Sequence, residues 1–418
     1  MTRFFLEPPA QATPPQEQEA PLKAESPQKR PPTSARHQAK IKVIGVGGAG
    51  GNVLDTMIES GVIGVDFVVA NTDMQALEDK RADARLQLGV GLTRGLGAGG
   101  DPEVGRQSAL ESIPSIKDEL TGTDMVFITA GMGGGTGTGA SPIIAQQAKD
   151  AGALTVGVVT KPFTFEGRRR MKRADEGIEA LKAAVDTLLI IPNERLLEIA
   201  GEDASTEEAY AMVDNVLCQA VRGISDLITT SGRINVDFAD VRAVMSRKGM
   251  ALMGTGRRDG EDRAAAAAHD AVSSPLLANA SIQGARSVLI NFRGPADLTI
   301  GEITEAASFI EEAAHEEAEI FFGHVIDEEM GSSVQVTVIA TGFDEAKAAA
   351  SLLDLPAAKV VNGPDQPLQR EGSIDEPTFI RKERNRLGGA MRITRVATGD
   401  QDYSHDLDAP TFLRKQAD

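Results

Sequence analysis

The sequence predicts an α/β fold: a Rossmann-like parallel sheet, a long central helix and a second, smaller α/β domain, flanked by disordered tails. Three observations carry this. Short apolar runs of the buried-strand type alternate with helical patterns through the first half of the chain. Two of those runs pass directly into glycine-rich loops and then into helices. One long amphipathic stretch then separates this alternation from a different order of elements.

Residues 1–40 hold eight of the chain's 20 prolines among Gln, Glu, Lys and Ser, too little apolar surface to offset the entropy of ordering, and are expected to be disordered. The nucleotide-type domain spans 41–204. It begins with the strand Lys42–Val46, a glycine loop and a helix at Val53–Glu59, and continues through strands at Asp66–Ala70, Met125–Ala130, Leu154–Val159 and Thr187–Ile191. The central helix covers 205–232. Ser205 and Glu208 form a capping box, apolar residues recur from Val213 to Ile228, and Gly232 is the expected stop. The second domain, 233–345, reads as a helix at Asp240–Met245, a glycine-rich stretch, an alanine-rich helix, and strands at Ser287–Phe292 and Val334–Ala340, packed on the central helix. A flexible linker, 346–405, and a terminal peptide, 406–418, complete the chain.

Composition narrows the chemistry. The formal charge of −18 resides in the folded middle, because residues 1–40 and 346–418 are together near neutral. Such a body repels phosphate backbones, so no nucleic-acid partner is expected. One cysteine, Cys218, excludes an internal disulfide, and five scattered histidines offer no metal-ligand spacing, so no protein metal site is expected. No apolar run nears a membrane span, and Glu7-Pro8-Pro9 cuts short the only apolar N-terminal run. A soluble cytoplasmic protein without direct membrane insertion is the expectation.

Gly45-Val46-Gly47-Gly48-Ala49-Gly50 matches G-x-G-x-x-G between a strand and a helix, and Asp73 lies where a ribose-binding acid would fall. On its own this fits an NAD-dependent oxidoreductase. The second loop, Gly133-Gly134-Gly135-Thr136-Gly137-Thr138-Gly139, is more specific. Two helix N-termini aimed at one sheet edge can surround a triphosphate, with threonine hydroxyls as extra donors; the alternative is that the glycines only permit tight packing. Ser141 and Pro142 read as N-cap and first residue of the following helix. There is no G-x-x-x-x-G-K-[ST] and no N-K-x-D, so neither P-loop nor Ras-like chemistry applies.

GGGTGTG is the signature of the tubulin/FtsZ superfamily. The segments IKVIGVGGAGGN, VVANTD, GMGGGTGTGASPIIA, TKPFTFEGRRRM, IPNERL, NVDFADVRAVM and DAPTFLRKQAD together resemble the FtsZ family of bacterial cell-division GTPases. The resemblance implies GTP and GDP as ligands, with Mg²⁺. It places Gly48, Ala49, Gly50, Gly51 and Asn52 in a first phosphate loop, and Gly135, Thr136 and Gly137 on the β- and γ-phosphates. Glu166 would bind the ribose, Arg170 would sit near the phosphates, and Asn193 and Asp214 would read guanine. Without the resemblance, Asp214 is a polar helix-face residue and Arg170 part of a solvated basic run.

It further implies that the loop Asn235, Asp237 and Asp240 supplies catalysis to the nucleotide site of a neighbouring subunit, although capping of a helix is the other reading of these carboxylates. Head-to-tail filaments at the midcell division site, the Z ring, follow from such a shared site. A polymerising paralogue that acts as a scaffold without hydrolysis is the rival. Asp375–Lys382 recurs as Asp408–Lys415 with six identities in eight positions. The terminal copy is the family's docking peptide for division proteins and membrane tethers, and the upstream copy is a second such peptide or a decayed duplicate. The Glu302–Glu319 run reads as a solvated helix face.

Overall fold

In the computed structural model the described residues are 39–343, except 202–203, 231, 233, 235, 248 and 278–281. Asn235, the N-terminal extension up to residue 38, the linker and both copies of the repeated peptide lie outside them.

The first half runs β1 (Ile41–Val46), α1 (Gly47–Glu59), β2 (Asp66–Asn71), α2 (Met74–Glu78), β3 (Ala84–Gln87), α3 (Val90–Thr93), α4 (Pro102–Glu111), α5 (Ile113–Leu120), β4 (Met125–Gly131), α6 (Thr136–Asp150), β5 (Leu154–Lys161), α7 (Arg168–Ala184), β6 (Thr187–Pro192) and α8 (Asn193–Ala200). The central helix, α9 (Thr206–Thr229), is followed by α10 (Phe238–Met245), β7 (Gly249–Arg258), α11 (Arg263–Val272), β8 (Ser287–Gly294), α12 (Ile300–Ala313), β9 (Glu319–Ile326) and β10 (Val334–Thr341).

All strands join one sheet in the order β3-β2-β1-β4-β5-β6-β7-β10-β8-β9. The first six are parallel, in the dinucleotide-fold order 3-2-1-4-5-6. Order reverses between β1 and β4, so the crevice outside their C-terminal ends is where a ligand is expected. Alternate strand residues feed two cores. Val43, Phe127, Val156 and Leu189 pack with α1, α9 and α10 on one face. Ile44, Val126, Ile128 and Ile190 pack with α4, α5, α6 and α7 on the other.

The second half is more than a body resting on the central helix. β7 pairs in parallel with β6 over three residues and antiparallel with β10, which carries the sheet onward. The glycine-rich stretch after α10 is therefore a ten-residue strand. Its glycines serve the helix above: a Cβ at Gly254 or Gly256 would lie 2.0 or 2.1 Å from the carbonyls of Ala271 and Ala267 in α11. Glycine there permits backbone-to-backbone approach.

The central helix begins as expected, Ser205 Oγ accepting from Glu208 N–H at 3.2 Å and Glu208 returning the bond to Ser205 N–H at 2.8 Å. It ends at Thr230, two residues before the expected glycine. Twenty-four residues span about 36 Å. Of the acidic run, most lies on α12 and the turn after it, while Glu319 opens β9.

Candidate nucleotide site

Both glycine loops are shorter than the sequence suggests, because each is largely the first turn of its helix. α1 starts at Gly47, not Val53, and α6 at Thr136. Ser141 and Pro142 accordingly sit inside α6. Ser141 Oγ donates to Gly137 O at 2.6 Å, and Pro142 lies inside the helix, past its first turn, where its missing N–H removes one intrahelical hydrogen bond.

The structure divides the glycines into two kinds. Most are held by protein atoms. A Cβ at Gly50 would meet Thr129 O at 2.5 Å, one at Gly135 would meet Ala98 Cβ at 2.8 Å, and one at Gly137 would meet Gly131 O at 2.9 Å. Gly51 makes room for the Lys80 stem, 3.0 Å from its would-be Cβ. At Gly48 and Gly134, by contrast, a Cβ would meet nothing within 4 Å. Packing therefore does not demand glycine at these two positions, whereas a ligand drawn up against the backbone does.

Ala49 has a negative φ, since Arg94 is the one non-glycine residue with positive φ among the described residues. The threonine hydroxyls brace the loops. Thr136 Oγ1 lies 2.7 Å from Thr72 Oγ1, and Thr138 Oγ1 accepts from Gly133 N–H at 2.8 Å. Thr138, as an acceptor, retains its own O–H, and the Thr72–Thr136 pair has either hydroxyl as donor.

Beside the loops lies a cavity of about 310 Å³ whose wall brings together Ala49, Asn52, Glu166, Arg170, Asn193 and Asp214 from α1, the β5–α7 connection, α7, α8 and α9. Sequence reasoning missed Tyr210, Val213 and Leu217, which also line it. With Asp214 they occupy positions i, i+3, i+4 and i+7 of α9, a single helix face, and that periodicity was the available signal.

The cavity wall is rich in acceptors. Asn193 is 4% exposed, and its Oδ1 has no hydrogen-bond partner. Burial pushes the Asp214 carboxyl up to about 6, against an opposing pull from Lys80. Glu166, buried, accepts from Phe163 N–H at 2.8 Å and lies 2.8 Å from Arg170 Nη1. The Tyr210 ring stands edge-on to Phe163 at 5.3 Å; burial, then the Glu166 charge, raise its hydroxyl and keep it a donor. Guanine, with N1–H and N2–H₂ donors on one edge, suits two adjacent acceptors of which one is anionic; adenine has no such pair of donors.

Other expected residues lie elsewhere. Asp73 caps α2, accepting from Ala76 N–H at 3.3 Å, and is not part of the cavity wall, which removes the support for a dehydrogenase-type ribose contact. Asp237 caps α10, accepting from Asp240 N–H at 2.8 Å, and neither carboxylate lines the cavity. α10 sits at the opposite rim of the sheet: Arg242 Nη2 donates to Asp124 O, just before β4, and Thr187 Oγ1, at the start of β6, donates to Met245 O. The seven residues of β4 put roughly 20 Å between that rim and the glycine loops.

Among the described residues no three His, Cys, Asp or Glu side chains form a metal-sized cluster, and no helix is long and apolar enough to cross a membrane.

Comparison with known proteins agrees with this geometry. The family model described as Tubulin/FtsZ family, GTPase domain, matches residues 40–201, and that of the FtsZ family C-terminal domain matches 249–344. The chain is 51% identical over 394 residues to the cell division protein FtsZ of Pseudomonas aeruginosa, covering 91% of this chain and 97% of that protein. It is 50% identical over 395 residues to the FtsZ of Pseudomonas putida, covering 90% and 97%. Among solved structures, an empty FtsZ dimer from M. jannaschii matches with a TM-score of 0.71 and 46% identity over 74% of this chain and 89% of that one. A GTPγS-bound CetZ2 protofilament from Haloferax volcanii, 19% identical with a TM-score of 0.65 over 75% and 96%, shares the fold. With its dinucleotide-type sheet, its paired glycine turns and an acceptor-walled cavity at the switch point, the chain belongs to the FtsZ family of tubulin-like GTPases.

Proposed function

We propose that this GTPase drives bacterial cell division from the cytoplasmic side of the midcell site, assembling head to tail and hydrolysing GTP at a site completed by the next subunit. The observation that supports it is that the acceptor-walled cavity and α10 meet opposite rims of one sheet. The acceptor wall and the open glycines Gly48 and Gly134 lie at the C-terminal ends of β1 and β4; α10, which Asp237 caps, meets the N-terminal ends of β4 and β6 through Arg242 and Met245. One copy cannot bring them together across roughly 20 Å. A second copy stacked on the first can, and such a heterologous contact repeats without closing.

In this reading Asn193 and Asp214 take the guanine, Glu166 the ribose, and Arg170 together with backbone N–H groups of Gly48–Asn52 and Gly135–Gly137 the phosphates. Asp237 and Asp240 of the adjoining copy polarise the attacking water. Asp237 is exposed and Asp240 half-buried, both on a capped helix start, positioned before any partner arrives. Asn235 would complete that loop. Mg²⁺ suits a hard ion carried by phosphate oxygens and water rather than by a protein cage, and its role is to offset phosphate charge. GTPase rate per molecule should rise from near zero with protein concentration; a rate independent of dilution would exclude the shared site.

Asp214 gives a pH signature. Its carboxyl holds its proton to higher pH in the empty protein than in the unfolded chain, so its contribution to stability is present at acid pH and lost as pH rises through about 6. Guanine needs the ionised form, so GDP affinity should weaken as pH falls through about 6, with proton release on binding near that pH. Calorimetry in buffers of different ionisation enthalpy reads both.

The family's docking peptide corresponds to Asp408–Lys415, and we take Asp375–Lys382 as a second copy, both binding division proteins and membrane tethers. A Phe-Leu or Phe-Ile pair beside Arg-Lys suits a segment that folds on its partner. Phe412→Ala should abolish capture by an immobilised tether, and Phe379→Ala should weaken it about tenfold through lost avidity. Unchanged affinity after Phe379→Ala would leave the upstream copy without a docking role.

A further inference from the structure

Lys80, in the turn after α2, was not singled out by sequence and does not line the cavity, yet it governs two residues that do. Its Nζ donates to Asn52 Oδ1 at 2.7 Å and lies 2.8 Å from Asp55 Oδ2, both on α1. The side chain is 14% exposed, and its stem lies across Gly51, where any Cβ would meet Cε at 3.0 Å. Arg85 Nε holds the Lys80 carbonyl at 3.1 Å, so the turn itself is braced. A glycine in the first loop is thus accounted for by the passage of this lysine.

We propose that Lys80 is a positioning residue for the base: its ammonium orients the Asn52 amide at the cavity wall and supplies the positive charge that the acceptor wall around Asp214 needs to take a guanine. This rests on the assignment of Asp214 to guanine. An ammonium has donors only, so Asn52 must turn Oδ1 toward it and present its NH₂ group elsewhere. The amide therefore serves as a donor rather than ambiguously. The positive charge of Lys80 also favours the Asp214 carboxylate against its burial. The charged groups around Asp214 are Lys80 with its partner Asp55 on the α1 side, and Glu166 and Arg170 across the cavity. The last two are paired with each other at 2.8 Å, as Lys80 is with Asp55; Lys80 differs in also donating to the Asn52 amide at the cavity wall.

The test is GDP affinity of the full chain by calorimetry between pH 5 and 8. In Lys80→Met the midpoint near 6 should move up by about one unit, as expected for loss of a nearby opposite charge. The affinity loss at pH 6 should then exceed the loss at pH 8 by about fivefold. Lys80→Arg should restore the original midpoint, and Asp55→Asn, which frees the ammonium from its own partner, should move it down. A loss in Lys80→Met that is equal at every pH, while wild type keeps its midpoint and Asp214→Asn abolishes it, makes Lys80 a structural residue and overturns the proposal. A wild-type profile with no midpoint, or one that Asp214→Asn leaves in place, overturns the guanine assignment itself and the proposal with it.

Discussion

Replacing Asp237 by Asn should abolish GTP turnover and leave nucleotide binding intact. The change is matched to the local structure. Asp237 Oδ1 accepts from Asp240 N–H at 2.8 Å and caps α10, and Asn caps as well as Asp does, so the helix start is kept while the charge is removed. Asp237→Ala would confound the two by costing about 1 kcal/mol of capping. Loss of a group that polarises the attacking water should lower the turnover number by about 10²–10⁴-fold. GDP affinity should stay within about twofold, because α10 lies at the far rim of the sheet from the cavity, against Asp124 and Thr187. Asp240→Asn should behave similarly. Normal turnover in Asp237→Asn would reduce the Asp237 carboxylate to the capping role that its hydrogen bond from Asp240 N–H already displays.

The second large effect separates the two kinds of glycine. Gly48→Val places its side chain in space where a Cβ meets no protein atom within 4 Å, at a helical residue of negative φ. The fold should be preserved. The phosphates should be kept from the backbone N–H groups, and the loss of two charge-assisted hydrogen bonds corresponds to about 100-fold in GTP affinity. Gly139→Ala should do the reverse. Its Cβ would lie 1.9 Å from Pro102 O, where α4 crosses α6, and overpacking of this kind costs about 3 kcal/mol of stability. Whatever protein remains folded should bind nucleotide normally. Thermal melts beside a fluorescent-nucleotide titration distinguish the outcomes, and a Gly48→Val protein that binds GTP normally would remove the first loop from the phosphate site.

Much of this was legible in the sequence because parallel strands buried on both faces are continuous apolar runs. β1, β2, β4, β5 and β6 each appear as such a run, and the Ser205/Glu208 box marks the central helix to the residue. β3 and β9 were not legible. They are edge strands, half-exposed, and Ala84–Gln87 carries no alternation strong enough to register. β7 was hidden by its own glycines, which mark helix contact rather than a loop. Helix starts were misplaced for a related reason: Gly47–Gly51 and Gly137–Gly139 have poor helix propensity, and tertiary contact with Thr129, Gly131 and Pro102 overrides it.

At the site, residues separated by up to 168 positions, Ala49 to Leu217, come into one cavity wall. No local pattern encodes that; motif resemblance brought them forward. Lys80 escaped both routes, because a lysine in a polar turn has no distinguishing neighbour until α1 is folded against it. Asp237 and Asp240 show the converse limit, since within one chain their geometry is that of an ordinary helix cap.

The shared site is therefore the claim on which the account stands, and mixing two inactive variants tests it most directly. Asp237→Asn keeps a complete nucleotide cavity and lacks the donated carboxylate. Gly48→Val binds nucleotide about 100-fold more weakly and keeps Asp237 and Asp240. If the site is built from two copies, phosphate release from an equimolar mixture should rise well above the sum of the separate variants, as Gly48→Val loops complete Asp237→Asn cavities. A mixture that releases phosphate only at that sum would place catalysis within a single chain and contradict the account.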